Sequence, residues 1–343
     1  MRSSTSSSND RLPRGDWVKP LLVALLFTAV LVAGWELTVR KMGYEPSVID
    51  SKELWADARQ RASRLGKYAV VLVGASRMQL NINLEVLKKY TGTTPVQLAI
   101  IRNHFWPVLE DLAQDESITG TVLVDVTIPD INPNRNLMAP HASLWIDYYH
   151  QSALAHAQPY YMPLETQLRD GINNTFALRT AGVRPKDMLI KWLNDKTVDD
   201  NYIRISPDRS AAADFTKIDA KKRYDVLVSA TKELGPVAFT MIPDFTRHLA
   251  ALEKLVQKIQ GRGGRVVLIQ FPVSREIREI VNARYPRDRY WDRIAKETSA
   301  QTIHYEDYPA LSKYDLPDGY HLDYRQAIPF TKALGEILFP PRR

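Results

Sequence analysis

The 343-residue sequence contains no cysteine. A disulfide, a thiolate metal site and a cysteine nucleophile are therefore excluded, although this absence does not identify the cellular compartment. The sequence also lacks a G-x-x-x-x-G-K-[ST] phosphate loop and an H-E-x-x-H metal motif. Three of its histidines, His141, His150 and His156, lack the helical spacing of metal ligands, and we interpret them as surface or packing residues. We predict no metal site and no cofactor.

Positive charge is in only small excess outside the N-terminal segment. The formal net charge is +7, and residues 1–41 contribute +3 through six Lys/Arg and three acids. The remaining residues contain no dense Lys/Arg cluster with interleaved aromatic side chains. Because such a cluster is the usual electrostatic signature of nucleic-acid binding, we predict no nucleic-acid partner.

A hydrophobic run lies near the N-terminus. Residues 20–35 carry no charge and would span about 24 Å as a helix, close to the thickness of a bilayer core. Trp17 and Trp35 stand at its edges, where indole rings favour the headgroup zone. We predict a transmembrane anchor at 17–39, preceded by a disordered serine-rich tail at 1–16. The alternative is a signal peptide cleaved near Gly34.

The charges that flank this run indicate its orientation. Four Lys/Arg precede it, and three (Arg40, Lys41 and Lys52) follow it by residue 55. The positive-inside rule then predicts a cytoplasmic N-terminus. If the source is a Gram-negative bacterium, the protein is a single-pass protein of the inner membrane with its body in the periplasm.

The body alternates apolar runs with helical patterns, which predicts an α/β domain with a parallel sheet and helices on both faces. A linker and a helix at 40–65 lead into this domain at 66–343. The predicted strands are the apolar runs at 68–73, 96–101, 121–128 and 266–271, with 68–73 as the central strand. The predicted helices lie near 83–90, 104–114, 247–259 and 323–338.

The alternation is lost between residues 130 and 235, and we interpret this stretch as an insertion in the α/β domain. It contains an aromatic-rich segment, Trp145–Tyr161. Packing within the insertion is the interpretation we prefer for these rings. Stacking on sugars and contact with the membrane are the alternatives.

Two short segments carry residues suited to nucleophilic chemistry. Ser76 follows the apolar run at 68–73, and parallel sheets place their active sites at the carboxyl ends of strands. Asp318 and His321 are three residues apart, just before the last helix. In this spacing the aspartate can orient the imidazole, and the imidazole can deprotonate the serine.

A serine after the first strand and a D-x-x-H before the last helix resemble the SGNH (GDSL-like) hydrolase superfamily. The sequence is similar in particular to membrane-anchored bacterial members associated with exopolysaccharide and cell-wall acylation. The resemblance covers roughly residues 66–126 and 262–339. It implies a flavodoxin-like three-layer sandwich and ester hydrolysis or acyl transfer. It also implies that Ser76 is the nucleophile, His321 the general base and Asp318 the orienting acid.

The sequence departs from the family pattern at the oxyanion donors. The family's second and third motifs supply a glycine N–H and an asparagine side chain, which are absent from their expected places in this sequence. Losing one such donor typically lowers turnover by roughly two to three orders of magnitude. We consider Arg77, Asn103 and Asn132 as substitutes or as substrate-binding residues.

Two functional hypotheses follow. The first is a membrane-anchored serine esterase or O-acyltransferase acting on an envelope polysaccharide or its acyl groups. The second is a catalytically inactive accessory protein, in which the same fold binds a glycan or a membrane partner in a polysaccharide export or synthesis complex. The reactivity of Ser76 distinguishes them.

Overall fold

The computed structural model describes residues 17–133, 141–156, 161–180, 202–233 and 241–340, with positions 183, 186, 188, 189 and 193. The predicted tail at 1–16 and parts of the predicted insertion lie outside the described residues. The helices are α1 (Val18–Lys41), α2 (Lys52–Leu65), α3 (Ser76–Leu80), α4 (Leu84–Thr91), α5 (Trp106–Gln114), α6 (His141–His156), α7 (Leu164–Thr175), α8 (Ala220–Glu233), α9 (Met241–Gln260), α10 (Arg275–Arg284), α11 (Trp291–Glu297), α12 (Pro309–Ser312) and α13 (Tyr324–Leu338). The strands are β1 (Val70–Val73), β2 (Val96–Gln97), β3 (Thr121–Asp125), β4 (Ile203–Ile205), β5 (Ala211–Ala213), β6 (Arg265–Gln270) and β7 (Gln301–His304).

Five of these strands form a parallel sheet in the order β2-β1-β3-β6-β7. This is one of the common strand orders of doubly wound α/β folds, and its switch point lies between β1 and β3. The predicted α/β class with a parallel sheet is therefore confirmed.

Helices cover both faces of the sheet, which explains why its strands are apolar runs rather than alternating ones. Val71 and Val73 pack in one core with buried residues of α2, α5 and α9. Val70 and Leu72 point to the opposite face and pack in a second core with α4 and α13. Each strand thus contributes side chains to two cores at once.

Some sequence-based bounds need correction. The run at 68–73 was predicted to be the central strand, but β1 begins at Val70 because Gly66–Tyr68 forms a 3-10 turn. β1 has a partner on each side, whereas the middle position belongs to β3. The edge strand β7 was not predicted from the sequence. Its four residues run from exposed to buried and resemble neither a buried run nor an alternating strand.

The chain between β3 and β6 adds helices and a small antiparallel hairpin formed by β4 and β5. α6 carries Trp145, Tyr148 and Tyr149 of the aromatic-rich segment and packs on α2, whereas Tyr161 lies after this helix and is exposed. There the Tyr149 hydroxyl donates to Gln60 Oε1 at 3.0 Å, and its ring meets Trp55 edge-on with centroids 6.4 Å apart. These contacts support the packing interpretation for this helix. Tyr160 lies outside the described residues.

The N-terminal helix α1 is long and apolar enough to cross a membrane. Its last turns contact the body of the protein. The Glu36 carboxylate accepts the backbone N–H groups of Ala177 and Leu178 at 2.9 and 2.8 Å. Val39, on the same helix, is fully buried against Ala177. A single helix therefore contains both the apolar run and the residues that pack on the body.

Candidate active site

The candidate site lies at the carboxyl edge of the sheet, beside its switch point. Ser76 is the first residue of α3, two residues after Gly74 leaves β1. Asp125, the last residue of the neighbouring strand β3, ends at the same edge. Ligand sites of open α/β sheets occur at this position because the loops diverge there and leave a crevice.

Gly74 permits the close approach of these two strand ends. Its φ of +147° is a conformation that residues with a side chain rarely adopt. A Cβ atom added at Gly74 would lie 2.6 Å from Cβ of Asp125 and 3.4 Å from Cβ of Met78. Glycine at this position therefore allows the turn into α3 and sets where Ser76 stands.

The three residues predicted for the site form one hydrogen-bonded chain. His321 Nε2 lies 2.8 Å from Ser76 Oγ, and His321 Nδ1 lies 2.8 Å from Asp318 Oδ2. A carboxylate only accepts hydrogen bonds, so Nδ1 carries the ring proton and Nε2 is left to accept the serine hydroxyl. Ser76 is partly exposed, whereas Asp318 is fully buried.

Asp318 is held by donors on both of its oxygens. Its Oδ1 accepts the backbone N–H groups of Tyr320 and His321 at 3.1 and 2.8 Å. Burial by itself would raise the pKa of Asp318, but the hydrogen bonds and charge of His321 and these N–H donors outweigh it. The pKa of Asp318 therefore lies below its usual value, and the residue is a carboxylate at neutral pH.

Arg223, on α8, also contacts Asp318, and this contact was not predicted from the sequence. Arg223 Nε lies 3.2 Å from Asp318 Oδ2, and the guanidinium lies 5.0 Å from the ring centroid of Tyr202. Arg223 belongs to the polar stretch interpreted as an insertion, where nothing distinguishes it from other surface arginines. Only the fold brings it to the site.

Asn81 connects the serine and histidine segments, and it too was not predicted. It follows α3 and is fully buried. Its Oδ1 accepts the N–H of Leu322 at 2.9 Å, and its Nδ2 donates to the carbonyl of Tyr320 at 3.5 Å. The loop that carries His321 is thus fastened to the helix that begins with Ser76.

Arg77 points away from solvent and forms a buried ion pair with Asp125. Burial raises the pKa of Asp125 to about 6, against the opposing charge of Arg77 and with a further contribution from Asp130. In this arrangement the guanidinium joins α3 to the end of β3. Arg77 was predicted as an oxyanion or substrate-binding residue, and here it is engaged with Asp125.

The two asparagines predicted as donors lie in different surroundings. Asn103 is buried; its Oδ1 accepts the N–H of Ala142 at 3.3 Å, and its Nδ2 donates to the carbonyl of Ile101 at 3.4 Å. Asn132 ends the 3-10 turn Ile128–Ile131 and lines a small cleft with Phe245. Ser76, His321 and Asp318 thus form one hydrogen-bond chain, whereas Asn103 is bonded to Ala142 and Ile101.

The arrangement contains the parts of a general-base-assisted nucleophile. Ser76 supplies a hydroxyl, His321 an unprotonated nitrogen in hydrogen-bond contact with it, and Asp318 a carboxylate that fixes the ring. The N–H of Ser76 lies in the first turn of α3, where backbone donors have no acceptor within their own helix. That N–H is therefore suited to stabilise negative charge on an oxygen bound beside Ser76.

Comparison of the sequence with protein-family models and with curated proteins finds no match.

Proposed function

We propose that this chain is a membrane-anchored serine esterase or O-acyltransferase of SGNH (GDSL-like) type that acts on acyl groups of an envelope polysaccharide. The observation that carries the proposal is the hydrogen-bond chain from Ser76 through His321 to Asp318 at the edge of the sheet. The polysaccharide substrate rests on the sequence resemblance. The doubly wound strand order is compatible with the fold that this resemblance implies.

In the proposed reaction, His321 Nε2 takes the hydroxyl proton while Ser76 Oγ attacks the acyl carbonyl carbon. The resulting tetrahedral oxyanion is stabilised by the N–H of Ser76. His321 then returns the proton to the departing alkoxide, and the ester bond breaks to leave an acyl-serine. Water in hydrolysis, or a glycan hydroxyl in transfer, then gives its proton to His321 Nε2 and bonds to the acyl carbon. The bond between this carbon and Ser76 Oγ breaks, and His321 returns the proton to Oγ. Asp318 remains ionised throughout and holds the ring orientation.

The proposed location is the bacterial inner membrane, with α1 as a single span and the body in the periplasm. The uncharged run within α1 and the excess of Lys/Arg before it support this orientation. A reporter enzyme that is active only in the periplasm, fused to the C-terminus, should be active. An inactive fusion, together with activity of a second reporter that works only in the cytoplasm and is fused at the same point, would contradict the orientation and leave the chemistry of Ser76 untouched.

A second candidate is the accessory protein that binds a glycan or membrane partner without turnover. The observation that favours it is the engagement of the candidate oxyanion donors elsewhere: Arg77 with Asp125, and Asn103 with Ala142 and Ile101. If the Ser76 N–H acts without these side chains, stabilisation of the oxyanion is incomplete. Turnover would then be slower by roughly two orders of magnitude or more.

Fluorophosphonate labelling of the full-length protein in detergent distinguishes the two candidates. The enzyme hypothesis predicts labelling of wild type and its loss in Ser76→Ala and in His321→Ala, because nucleophile and base act as a unit. Ser229→Ala, which removes an exposed serine of α8, is the matched control and should be labelled like wild type. Unlabelled wild type that also cleaves no acyl ester would favour the accessory protein. Labelling that persists in Ser76→Ala would identify a different nucleophile.

A further inference from the structure

The helix α7 has its polar and apolar faces reversed relative to a normal surface helix. The side chains that it buries against the body are polar, and a carboxylate is among them: Thr166, Asp170 and Asn173. On the opposite side, exposed apolar side chains recur every four residues, flanked by exposed polar residues such as Glu165, Gln167 and Asn174. The apolar ones are Leu164, Leu168, Ile172 and, just past the helix, Phe176, with exposed fractions of 69, 59, 48 and 41%.

This apolar stripe differs from the scattered apolar residues found on most protein surfaces. A four-residue period places the four side chains on one side of the helix, so that they form a continuous strip about three turns long. Single exposed apolar residues need no explanation, whereas a contiguous strip marks a surface that is covered in the working protein.

The strip ends beside the helix that is apolar enough to cross a membrane. Arg40 of α1 donates from Nη2 to the carbonyl of Thr175 at 2.8 Å. Glu36 accepts the N–H groups of Ala177 and Leu178, which directly follow Phe176. Glu36 is the next residue after Trp35, where the uncharged run of α1 ends. The C-terminal end of α7 is therefore fixed at the level where α1 leaves the apolar layer.

The end of α1 has a further apolar contact from the segment after α7. Met188 packs against the cluster formed by Val39, Tyr44 and Ala177 at the end of α1. The next residue, Leu189, is 54% exposed. An exposed apolar side chain therefore directly follows the residue that packs where α1 meets the body.

We propose that α7 is an interfacial helix that lies on the phospholipid bilayer, with Leu164, Leu168, Ile172 and Phe176 inserted between the headgroups and the acyl chains. A helix that is polar toward its protein and apolar toward the outside fits such a position, because the membrane surface supplies the missing apolar neighbour. Continuity with α1 identifies lipid as the occupant. The inference rests on the membrane anchoring in the proposed function and is independent of the reactivity of Ser76.

The absence of cysteine permits a direct test by single-cysteine labelling of the full chain. Leu168→Cys and Ile172→Cys are labelled with bimane, and the protein is reconstituted in phosphatidylcholine vesicles whose acyl chains carry nitroxide quenchers. Val226→Cys is the matched control, since Val226 is also an exposed apolar residue on a helix, 60% exposed on α8. Leu26→Cys, in the middle of α1, reports on the anchor itself.

The expected result is that emission from positions 168 and 172 is quenched several-fold more than emission from position 226 and approaches the quenching at position 26. If position 26 is quenched while positions 168 and 172 are quenched no more than position 226, the interfacial helix is wrong and the anchor remains supported. No quenching at 26 would remove the anchor and this inference with it. If Leu168→Cys is not quenched but forms disulfide-linked dimers that Val226→Cys does not form, the strip is covered by a second copy and the proposal is wrong.

Discussion

His321 Nε2 lies 2.8 Å from Ser76 Oγ, although 245 positions separate the two residues in the chain. Each is fixed by its own surroundings. Ser76 stands at the turn that Gly74 allows after β1, and His321 rests on Asp318 in a loop held by Asn81. Substitutions near Ser76 and substitutions near His321 should therefore both disturb this contact, with different expected effects.

Asp318→Asn should abolish most activity without unfolding the protein. The side-chain oxygen of asparagine can still accept the N–H groups of Tyr320 and His321. Its NH2 group would then face Nδ1 of the imidazole, where the carboxylate oxygen was. The ring proton would then move to Nε2, which could no longer accept the Ser76 hydroxyl. We expect a loss on the order of 10³–10⁴-fold in acyl-enzyme formation. Rates of labelling by a fluorophosphonate measure this loss, and a variant with a near wild-type rate would exclude the proposed role of Asp318.

Arg223→Gln should reduce the acylation rate by roughly tenfold or less. Arg223 Nε donates to Asp318 Oδ2, the same oxygen that orients the His321 ring, so its loss loosens the position of this carboxylate. The effect is small because the Arg223 side chain is partly exposed.

Arg223→Lys, which retains a charged donor for Asp318, should lose less of the rate than Arg223→Gln. Arg204→Gln, which removes an exposed arginine of β4, is the control for general effects on the surface. A rate for Arg223→Gln equal to that of Arg204→Gln would mean that Arg223 does not position Asp318.

Gly74→Ala should destabilise the body and misplace Ser76. The added methyl group would lie 2.6 Å from Cβ of Asp125, in a backbone conformation that is itself strained for alanine. We expect a loss of about 1–3 kcal/mol in the free energy of unfolding. Gly171→Ala is the matched control, since a Cβ there meets nothing within 4 Å and alanine favours the helical backbone. Equal unfolding midpoints in urea for both variants would contradict this explanation of Gly74.

His304 should make the protein less stable as the pH falls from about 6.5 to 4. Burial lowers the pKa of His304 from 6.5 to about 4, and its Nδ1 accepts the N–H of Glu306 as a neutral ring does. The unfolded chain therefore binds a proton in this range before the folded protein does. The stabilisation is fully present above pH 6.5 and is lost as the pH falls toward 4.

The loss should be on the order of 1–3 kcal/mol by pH 4. His304→Asn retains an acceptor near the N–H of Glu306 and does not titrate. Urea unfolding at several pH values should therefore show the advantage of wild type over this variant shrinking as the pH falls. An advantage that stays constant between pH 7 and 4 would mean that His304 does not titrate as described.

The sheet and the serine–histidine–aspartate set could be predicted because each depends on a local pattern. Buried parallel strands require apolar runs such as Val70–Val73, and Asp318 and His321 are neighbours in the sequence. Arg223 and Asn81 could not be found in this way. Their roles depend on how the polar stretch between β3 and β6 returns to the site and on the path of the loop after residue 318.

The edge strand β7 could not be predicted from an apolar run. A strand at the sheet edge is only half covered, so Gln301 and Thr302 weaken the apolar signal. The partner of Arg77 could not be predicted either, because its ion pair with Asp125 joins two segments that are far apart in the sequence.

The contact of Glu36 and Val39 with the segment around Ala177 has a consequence for how this protein would search for its substrate. If a flexible linker joined the body to its anchor, the cleft would adopt many heights and orientations above the bilayer. With the proposed anchoring, a helix that spans the membrane and also packs on the body would fix the height and tilt of the cleft instead. Encounters would then be governed by two-dimensional diffusion in the membrane plane, and only acyl groups presented at one distance from that plane would be within reach.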